Sequence, residues 1–215
     1  MQITLIRHGC TAGNLEHRYV GSTDEPLTEQ AKEMLQSKQK NMKAPDILYV
    51  SPMKRCRETA QLLYPNTEQR IADGLRECSF GDFEYKNYLE LDGNADYQAW
   101  LDSGGTLPFP GGESREAFAQ RCCRAFEECC LEAIEKGCDS IAFVVHGGTI
   151  MAVMERFARP QKSYFEWQVK NAEGFCGILH IHSAGDLYDR QHQLEESDAN
   201  SIWISEAEKL SEEAE

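Results

Sequence analysis

The stretch IAFVVHGGTIMAVM, residues 141–154, decides how the rest of the chain is interpreted. Its first five residues form an apolar run that is typical of a strand buried on both faces. Residues 149–154 continue as an apolar stretch that predicts a buried helix. His146 and two glycines separate the two halves, which predicts a tight turn from strand to helix. A buried strand followed at once by a helix is the repeating unit of a parallel α/β sheet.

The same alternation of strands and helices continues on both sides of this stretch. The predicted strands span residues 3–6, 46–50, 141–145 and 175–182, and the predicted helices span 28–42, 54–64, 113–136 and 149–158. We therefore expect a three-layer α/β/α sandwich, with a mostly parallel sheet and helices on both of its faces. Residues 82–115 interrupt the alternation with short aromatic-rich pieces. We interpret them as an insertion over the carboxyl ends of the strands.

The chain is interpreted as a single domain followed by an acidic tail. Residues 1–194 hold the alternating elements, whereas residues 195–215 contain eight acidic residues and one lysine. The tail therefore carries half of the net charge of −14. Because runs of like charge are usually solvated, we predict an exposed helix or partial disorder for this tail.

Composition excludes several classes of function. The 215 residues carry 22 basic and 36 acidic side chains, whereas nucleic-acid and anionic-membrane binders need a basic face. No apolar run approaches the roughly twenty residues of a membrane span, and no basic leader precedes the first strand. We expect a cytoplasmic protein with neither a nucleic-acid nor a membrane partner, and the oligomeric state is left open.

Nine cysteines raise the question of a metal site or disulfides. An odd number without a secretory leader indicates reduced thiols in the cytosol. Cys122-Cys123 and Cys129-Cys130 follow the apolar spacing of a helix and have no paired histidines. Core packing is therefore the favoured interpretation, and no metal site is predicted.

Candidate functional residues follow three of the predicted strands. They are Arg7 and His8 after the first strand, Arg55 after the second, and His146 with Gly147 after the third. Ligands of open α/β sheets bind outside the carboxyl ends of the strands, so these residues are expected at one edge. Arginines, imidazoles and helix N-termini together favour a doubly charged oxyanion, most simply phosphate.

These residues belong to a longer pattern that resembles the histidine phosphatase superfamily, also called phosphoglycerate-mutase-like. The similar motifs are Arg7-His8-Gly9 with Thr11 and Asn14, the loop 21–28, residues 51–60 with Arg55, Leu75-Arg76-Glu77 with Phe80-Gly81 and Glu84, and residues 144–148. The pattern covers about residues 2–182 in the order of that family. It departs from the family at Ala31, Met34 and Tyr85, and none of these removes a candidate group.

The resemblance implies a role for each candidate residue. His8 would be the nucleophile that attacks phosphorus, and Glu77 would be the general acid that protonates the leaving oxygen. The phosphoryl oxygens would be bound by Arg7, Asn14, Gly21, Arg55, His146 and Gly147. A phosphohistidine intermediate follows, and no metal or other cofactor is expected because the arginines meet the charge of the transition state.

The substrate is open to several interpretations. Residues 97–100 (Tyr-Gln-Ala-Trp) and 110–113 (Pro-Gly-Gly-Glu), with Arg121, resemble the α-ribazole phosphatase branch, and broad-specificity phosphatases share parts of this pattern. The resemblance implies hydrolysis of a small phosphorylated metabolite, such as α-ribazole 5′-phosphate. A phosphoglycerate mutase is one alternative, disfavoured by the few basic residues of the insertion. A non-catalytic phosphate-binding module is another, and it would not need Glu77. The aromatic side chains of the insertion would either stack on a flat leaving group or form its own core.

Overall fold

The computed structural model describes residues 1–181 and 202–210 as a mixed sheet with helices on both faces. The strands are β1 (Gln2–Arg7), β2 (Ile47–Val50), β3 (Gln69–Ile71), β4 (Ser140–Val145), β5 (Gly174–Ile181) and β6 (Ile202–Leu210). The α-helices are α1 (Ala12–Leu15), α2 (Glu29–Gln39), α3 (Lys54–Leu63), α4 (Ala95–Asp102), α5 (Arg115–Glu135) and α6 (Gly147–Phe157). Short 3₁₀ helices span Asp73–Leu75, Gly81–Phe83 and Tyr164–Trp167.

The strand order places the two central strands side by side. The sheet runs β3-β2-β4-β1-β5-β6, in which the first four strands are parallel and β5 and β6 are antiparallel to their neighbours. Arg7 of β1 is in register with Val145 of β4, and the His8 N–H donates to the Val145 carbonyl at 2.9 Å. The residues that follow β1 and β4 therefore leave the sheet next to each other.

Two apolar cores, one on each face of the sheet, hold the layers together. On one face, Phe126 of α5 packs against both Phe143 of β4 and Phe157 of α6. Leu35 of α2 and Leu63 of α3 are buried on the other face. The predicted three-layer sandwich is confirmed. The four cysteines of α5 are buried in the first core, as their spacing predicted.

Helix boundaries follow from local chemistry. Ser114 accepts a hydrogen bond from the Ala117 N–H and so caps α5, and Gly137, with φ of +68°, follows the end of that helix. Helix α6 begins at Gly147 rather than at the predicted Thr149, because His146 occupies the N-cap position. Both glycines therefore belong to the first turn of α6.

The acidic tail is where the sequence prediction was wrong. Residues 202–210 form strand β6, which pairs with β5, and Ile202 and Ile204 are buried. Ile202 and Ile204 are two residues apart, the spacing of side chains on one face of a strand, and their burial outweighs the charge run. The rest of the predicted tail, and the boundary at residue 194, lie outside the described residues.

The insertion adds a small aromatic core of its own. Phe83, Leu91, Tyr97 and Phe109 are buried in it, and Tyr19 from the loop after α1 packs among their rings. Across residues 1–181 and 202–210, no helix has the length and apolar character needed to cross a membrane.

Candidate active site

Two buried histidines form the centre of the candidate site. His8 directly follows β1 and His146 directly follows β4, and their ring centroids are 5.2 Å apart with the planes at 67°. This proximity results from the parallel pairing of the two strands, because matched register brings their carboxyl ends to one edge. The sequence prediction that these two side chains share an edge of the sheet agrees with this geometry.

His8 has one ring nitrogen engaged and one free for chemistry. Its Nδ1 lies 2.7 Å from the Gly9 carbonyl oxygen, which only accepts, so Nδ1 carries the hydrogen. Burial, and then the nearby Arg55 and Arg7, hold the pKa of His8 well below its usual range. The ring is therefore neutral near pH 7, and the lone pair of Nε2 is available to attack an electrophile.

His146 is held by a serine that the sequence motif includes but that had no assigned role. Its Nε2 lies 2.7 Å from Ser51 Oγ, at the carboxyl end of β2. Burial is the largest cause that lowers the pKa of His146, and the charge on Arg55 and proximity to His8 act in the same direction. Three strands thus supply the residues around one point: β1, β2 and β4.

The two arginines are anchored through their terminal nitrogens. Arg55 is fully buried, its Nη1 donates to the Thr23 carbonyl at 2.8 Å, and its Nη2 donates to the Gly21 carbonyl at 2.9 Å. Arg7 Nη1 donates to the Val169 carbonyl at 2.8 Å. These bonds fix both guanidinium groups before any ligand binds, which favours a preorganised anion site.

Each arginine also carries a donor that the described residues leave unused. Arg7 Nε and Arg55 Nε are buried and have no hydrogen-bond partner among them. A buried unpaired donor costs about 1–3 kcal/mol, more on a charged group. A phosphate oxygen would satisfy such a donor with a charge-assisted hydrogen bond, so both orphaned nitrogens indicate an oxyanion site.

Glu77 lies across the site in an environment that favours its protonated form. Burial is the largest cause acting on this carboxyl and raises its pKa, although Arg55, Arg7 and two backbone N–H groups act in the opposite direction. Its Oε1 accepts a hydrogen bond from the Cys78 N–H at 3.0 Å. A Cβ on Gly148 would come within 2.7 Å of Oε1, so the close approach of α6 requires glycine there.

A cavity of about 260 Å³ opens beside Glu77. Aromatic and apolar side chains make up much of its wall, among them Phe80, Trp100, Phe109, Phe118, Met151 and Tyr164. Arg115 also lies on the wall, with its guanidinium carbon 4.1 Å from the centroid of the Tyr164 ring. The aromatic residues of the insertion therefore divide, since Phe83 and Tyr97 pack into its core whereas Trp100 and Phe109 also face this cavity.

The remaining predicted phosphate-binding residues have different surroundings. Asn14 lines a polar cleft together with Arg7. Gly147 is the first residue of α6, and a Cβ there would lie about 3.4 Å from Arg7 Nε. Gly21 instead donates its N–H to Glu84 Oε1 at 2.9 Å and accepts from Arg55. Gly21 therefore helps to hold Arg55 through its carbonyl, and its N–H is already bonded to Glu84.

One element of the site was missed by sequence reasoning. Residues 168–173, between the last 3₁₀ helix and β5, contact the end of β1: Val169 holds Arg7, and the Ala172 N–H donates to the Arg7 carbonyl at 3.0 Å. The sequence contains no charged motif or periodicity that marks this segment as functional. Its role depends on long-range pairing and is visible only in the folded chain.

Comparison with known proteins agrees with this geometry. Residues 3–185 match the model of the histidine phosphatase superfamily (branch 1). The chain belongs to that superfamily. It is 27% identical over 198 residues to the adenosylcobalamin/alpha-ribazole phosphatase of Salmonella typhimurium, with 85% of this chain and 96% of that protein covered.

Two further comparisons concern the sequence and the fold. Phosphoglycerate mutase-like protein 4 of Arabidopsis thaliana is 31% identical over 170 residues, with 74% of this chain and 71% of that protein covered. The crystal structure of the alpha-ribazole phosphatase from Shigella flexneri superposes with a TM-score of 0.70 at 24% identity, covering 85% of this chain and 91% of that one. That last likeness concerns the fold alone.

Proposed function

We propose that this protein is a phosphomonoesterase that hydrolyses a small phosphorylated metabolite through a phosphohistidine intermediate. The observation that carries the proposal is the state of His8, which is buried, neutral and tethered through Nδ1 to the Gly9 carbonyl. This tether directs Nε2 into the site. A neutral imidazole held in one orientation loses little entropy when it attacks phosphorus.

The charge of the transferring phosphoryl group is met by residues already in place. Arg7 and Arg55 supply two fixed positive charges, each with an unpaired Nε–H donor. His146 lies beside His8, with 5.2 Å between the ring centroids. Phosphoryl transfer places negative charge on the equatorial oxygens, so preorganised donors stabilise its transition state. We therefore propose that turnover needs no metal ion.

Glu77 is proposed as the general acid and then the general base. In the first step, Nε2 of His8 bonds to phosphorus, the ester P–O bond breaks, and the proton of Glu77 passes to the leaving oxygen. In the second step, water attacks the phosphohistidine, the P–N bond breaks, and Glu77 takes a proton from that water. The raised pKa of Glu77 supports this cycle, because it favours the protonated acid when an ester binds.

The cavity beside Glu77 is proposed to take the leaving group. Its aromatic wall favours a flat, apolar alcohol through stacking and burial, and its volume is about 260 Å³. α-Ribazole 5′-phosphate is a candidate substrate, consistent with the named activity of the Salmonella typhimurium relative.

Hydrolysis is favoured over mutase activity and over simple phosphate binding. A mutase must hold a second anionic group, whereas Arg115, the cation on the cavity wall, already stacks on Tyr164 and lies 3.6 Å from Glu155. A phosphate-binding module would have no use for a buried carboxyl with a raised pKa beside the site. Both alternatives remain outcomes of the test below.

The test is a panel of phosphate monoesters assayed for inorganic phosphate with and without a chelator. We expect release from benzyl phosphate and α-ribazole 5′-phosphate at higher kcat/KM than from ethyl phosphate, and no release by His8→Ala. Isomerisation of 3-phosphoglycerate that outpaces phosphate release would instead identify a mutase. Phosphate binding by a folded protein without turnover of any ester would identify a binding module.

A further inference from the structure

Residues 168–173, here called the brace, are bonded to the end of β1 at several points. The Arg7 N–H donates to the Glu173 carbonyl at 2.9 Å, and the Ala172 N–H contacts both the Arg7 and His8 carbonyls at 3.0 and 3.1 Å. Ala172 is buried with φ of +61°, a left-handed conformation that a non-glycine residue adopts only where its surroundings impose it. The brace is therefore an ordered element, and the side chain of Asn171 contacts the loop after β1.

The hydrogen bonds of Asn171 define which end of its side-chain amide is the NH₂ group and which is the oxygen. Its Nδ2 lies 3.1 Å from the His8 carbonyl oxygen and 3.4 Å from the Gly9 carbonyl oxygen. Backbone carbonyls only accept hydrogen bonds, so the NH₂ group must face them. The same Nδ2 lies 3.0 Å from Asn14 Oδ1. The amide of Asn171 is thus oriented by the backbone that carries His8.

Asn14 is oriented in turn by two donors. Its Oδ1 accepts from Asn171 Nδ2 and from the Thr11 N–H, the latter at 3.2 Å. With its oxygen held by these two groups, the NH₂ group of Asn14 must face away from them. Asn14 and Arg7 line the same polar cleft, so this NH₂ group is the donor that Asn14 has left for a ligand.

We propose that Asn171 is a positioning residue that sets the amide of Asn14, so that Asn14 Nδ2 donates to a phosphoryl oxygen of the substrate. This inference rests on the proposed function. Without Asn171, Oδ1 of Asn14 keeps only the Thr11 N–H, at 3.2 Å, of its two donors, so the amide is held less firmly. Its inverted orientation turns Oδ1 toward the phosphate, where two electronegative oxygens repel. Holding the correct orientation in advance removes that cost from substrate binding and from the transition state.

The test is a double-mutant cycle of Asn14→Ala and Asn171→Ala, read as the affinity for inorganic phosphate by calorimetry and as kcat and KM for p-nitrophenyl phosphate. We expect Asn171→Ala to weaken phosphate binding by about 10- to 100-fold, the range expected when a ligand-binding group is misplaced. If Asn171 acts through Asn14, the double variant binds phosphate no more weakly than Asn14→Ala alone. Asn66→Ala, at an exposed asparagine away from the site, is the matched control.

Two results would overturn the inference. One is a phosphate affinity of Asn171→Ala equal to that of wild type, and the other is losses that multiply in the double variant. A purely structural defect would lower the melting temperature and the active fraction without changing the phosphate affinity of the folded molecules, and that also counts against the inference. If Asn171→Ala does not fold, Asn171→Ser enters the same cycle, because its hydroxyl is too short to reach Asn14.

Failure of this inference is distinguishable from failure of the proposed function. If wild-type protein neither binds phosphate nor releases it from any ester, the proposed function fails. If wild-type protein does both, and His8→Ala abolishes turnover, the proposed function stands and the cycle alone decides the role of Asn171.

Discussion

Replacement of Glu77 by glutamine tests the acid role with little change in shape. In the wild-type protein, the Cys78 N–H donates to Glu77 Oε1 at 3.0 Å. Glutamine keeps an oxygen that can accept this hydrogen bond, and it has the same shape against Gly148. What is lost is the acidic proton. We expect a loss of about 10²- to 10⁴-fold in kcat for alkyl phosphates, which corresponds to about 3–5 kcal/mol of transition-state stabilisation.

The leaving group decides how much of this loss appears. An alkoxide is a poor leaving group and needs the proton, whereas p-nitrophenolate departs as a stable anion. The loss for p-nitrophenyl phosphate should therefore be at least about tenfold smaller than the loss for benzyl phosphate. Steady-state kcat for both esters measures the difference, with Glu128→Gln, an exposed residue of α5, as the control. Equal losses on both esters would remove Glu77 from the acid role.

Three further predictions use the same kinetic assay. The kcat/KM of wild type should rise with pH through the lowered pKa of His8 and fall through the raised pKa of Glu77. Glu77→Gln should lose only the fall at alkaline pH, and a profile unchanged by that substitution would contradict the acid role of Glu77. Arg55→Ala should raise KM and lower kcat together, because a buried guanidinium contacts phosphate in both states, and wild-type constants would mean that it does not. Activity should be unaffected by EDTA and by added Mg²⁺, whereas strict dependence on a divalent cation would refute the proposed charge stabilisation.

The central strands and the four longest helices, α2, α3, α5 and α6, could be predicted because each has a local signal, whereas β3, α1 and α4 are short and were not predicted. Apolar runs mark β1, β2 and β4 as buried strands, and serine, threonine or glycine residues mark the ends of the helices. The position of His8 beside His146 followed from one physical rule, that parallel strands in an α/β sheet present their carboxyl ends at a common edge. The core role of the cysteines in α5 followed from helical spacing.

Support of the site by distant residues could not be predicted in this way. Ser51 was recognised as the start of a motif, but its contact with His146 depends on β2 pairing with β4. The engaged N–H of Gly21 depends on Glu84, 63 residues later in the chain. Neither contact leaves a pattern in the sequence, because hydrogen-bond partners across a fold have no fixed spacing.

The wrong prediction for the tail also came from long-range contacts that the sequence does not reveal, and these contacts connect the tail to the candidate site. Strand β6 was predicted from its charge to be an exposed helix or disordered, yet Lys209 of β6 lies 3.1 Å from Glu173 Oε2 in the brace. The same carboxylate oxygen accepts the Lys170 N–H at 3.0 Å, so one side chain closes the brace and ties it to the edge of the sheet. Since the brace holds Arg7 and orients Asn171, a strand that was predicted to be a solvated tail is two contacts away from the proposed phosphate-binding groups. Charge patterning alone does not reveal this connection, because the charged side chains of an edge strand can pair with neighbouring elements as well as face solvent.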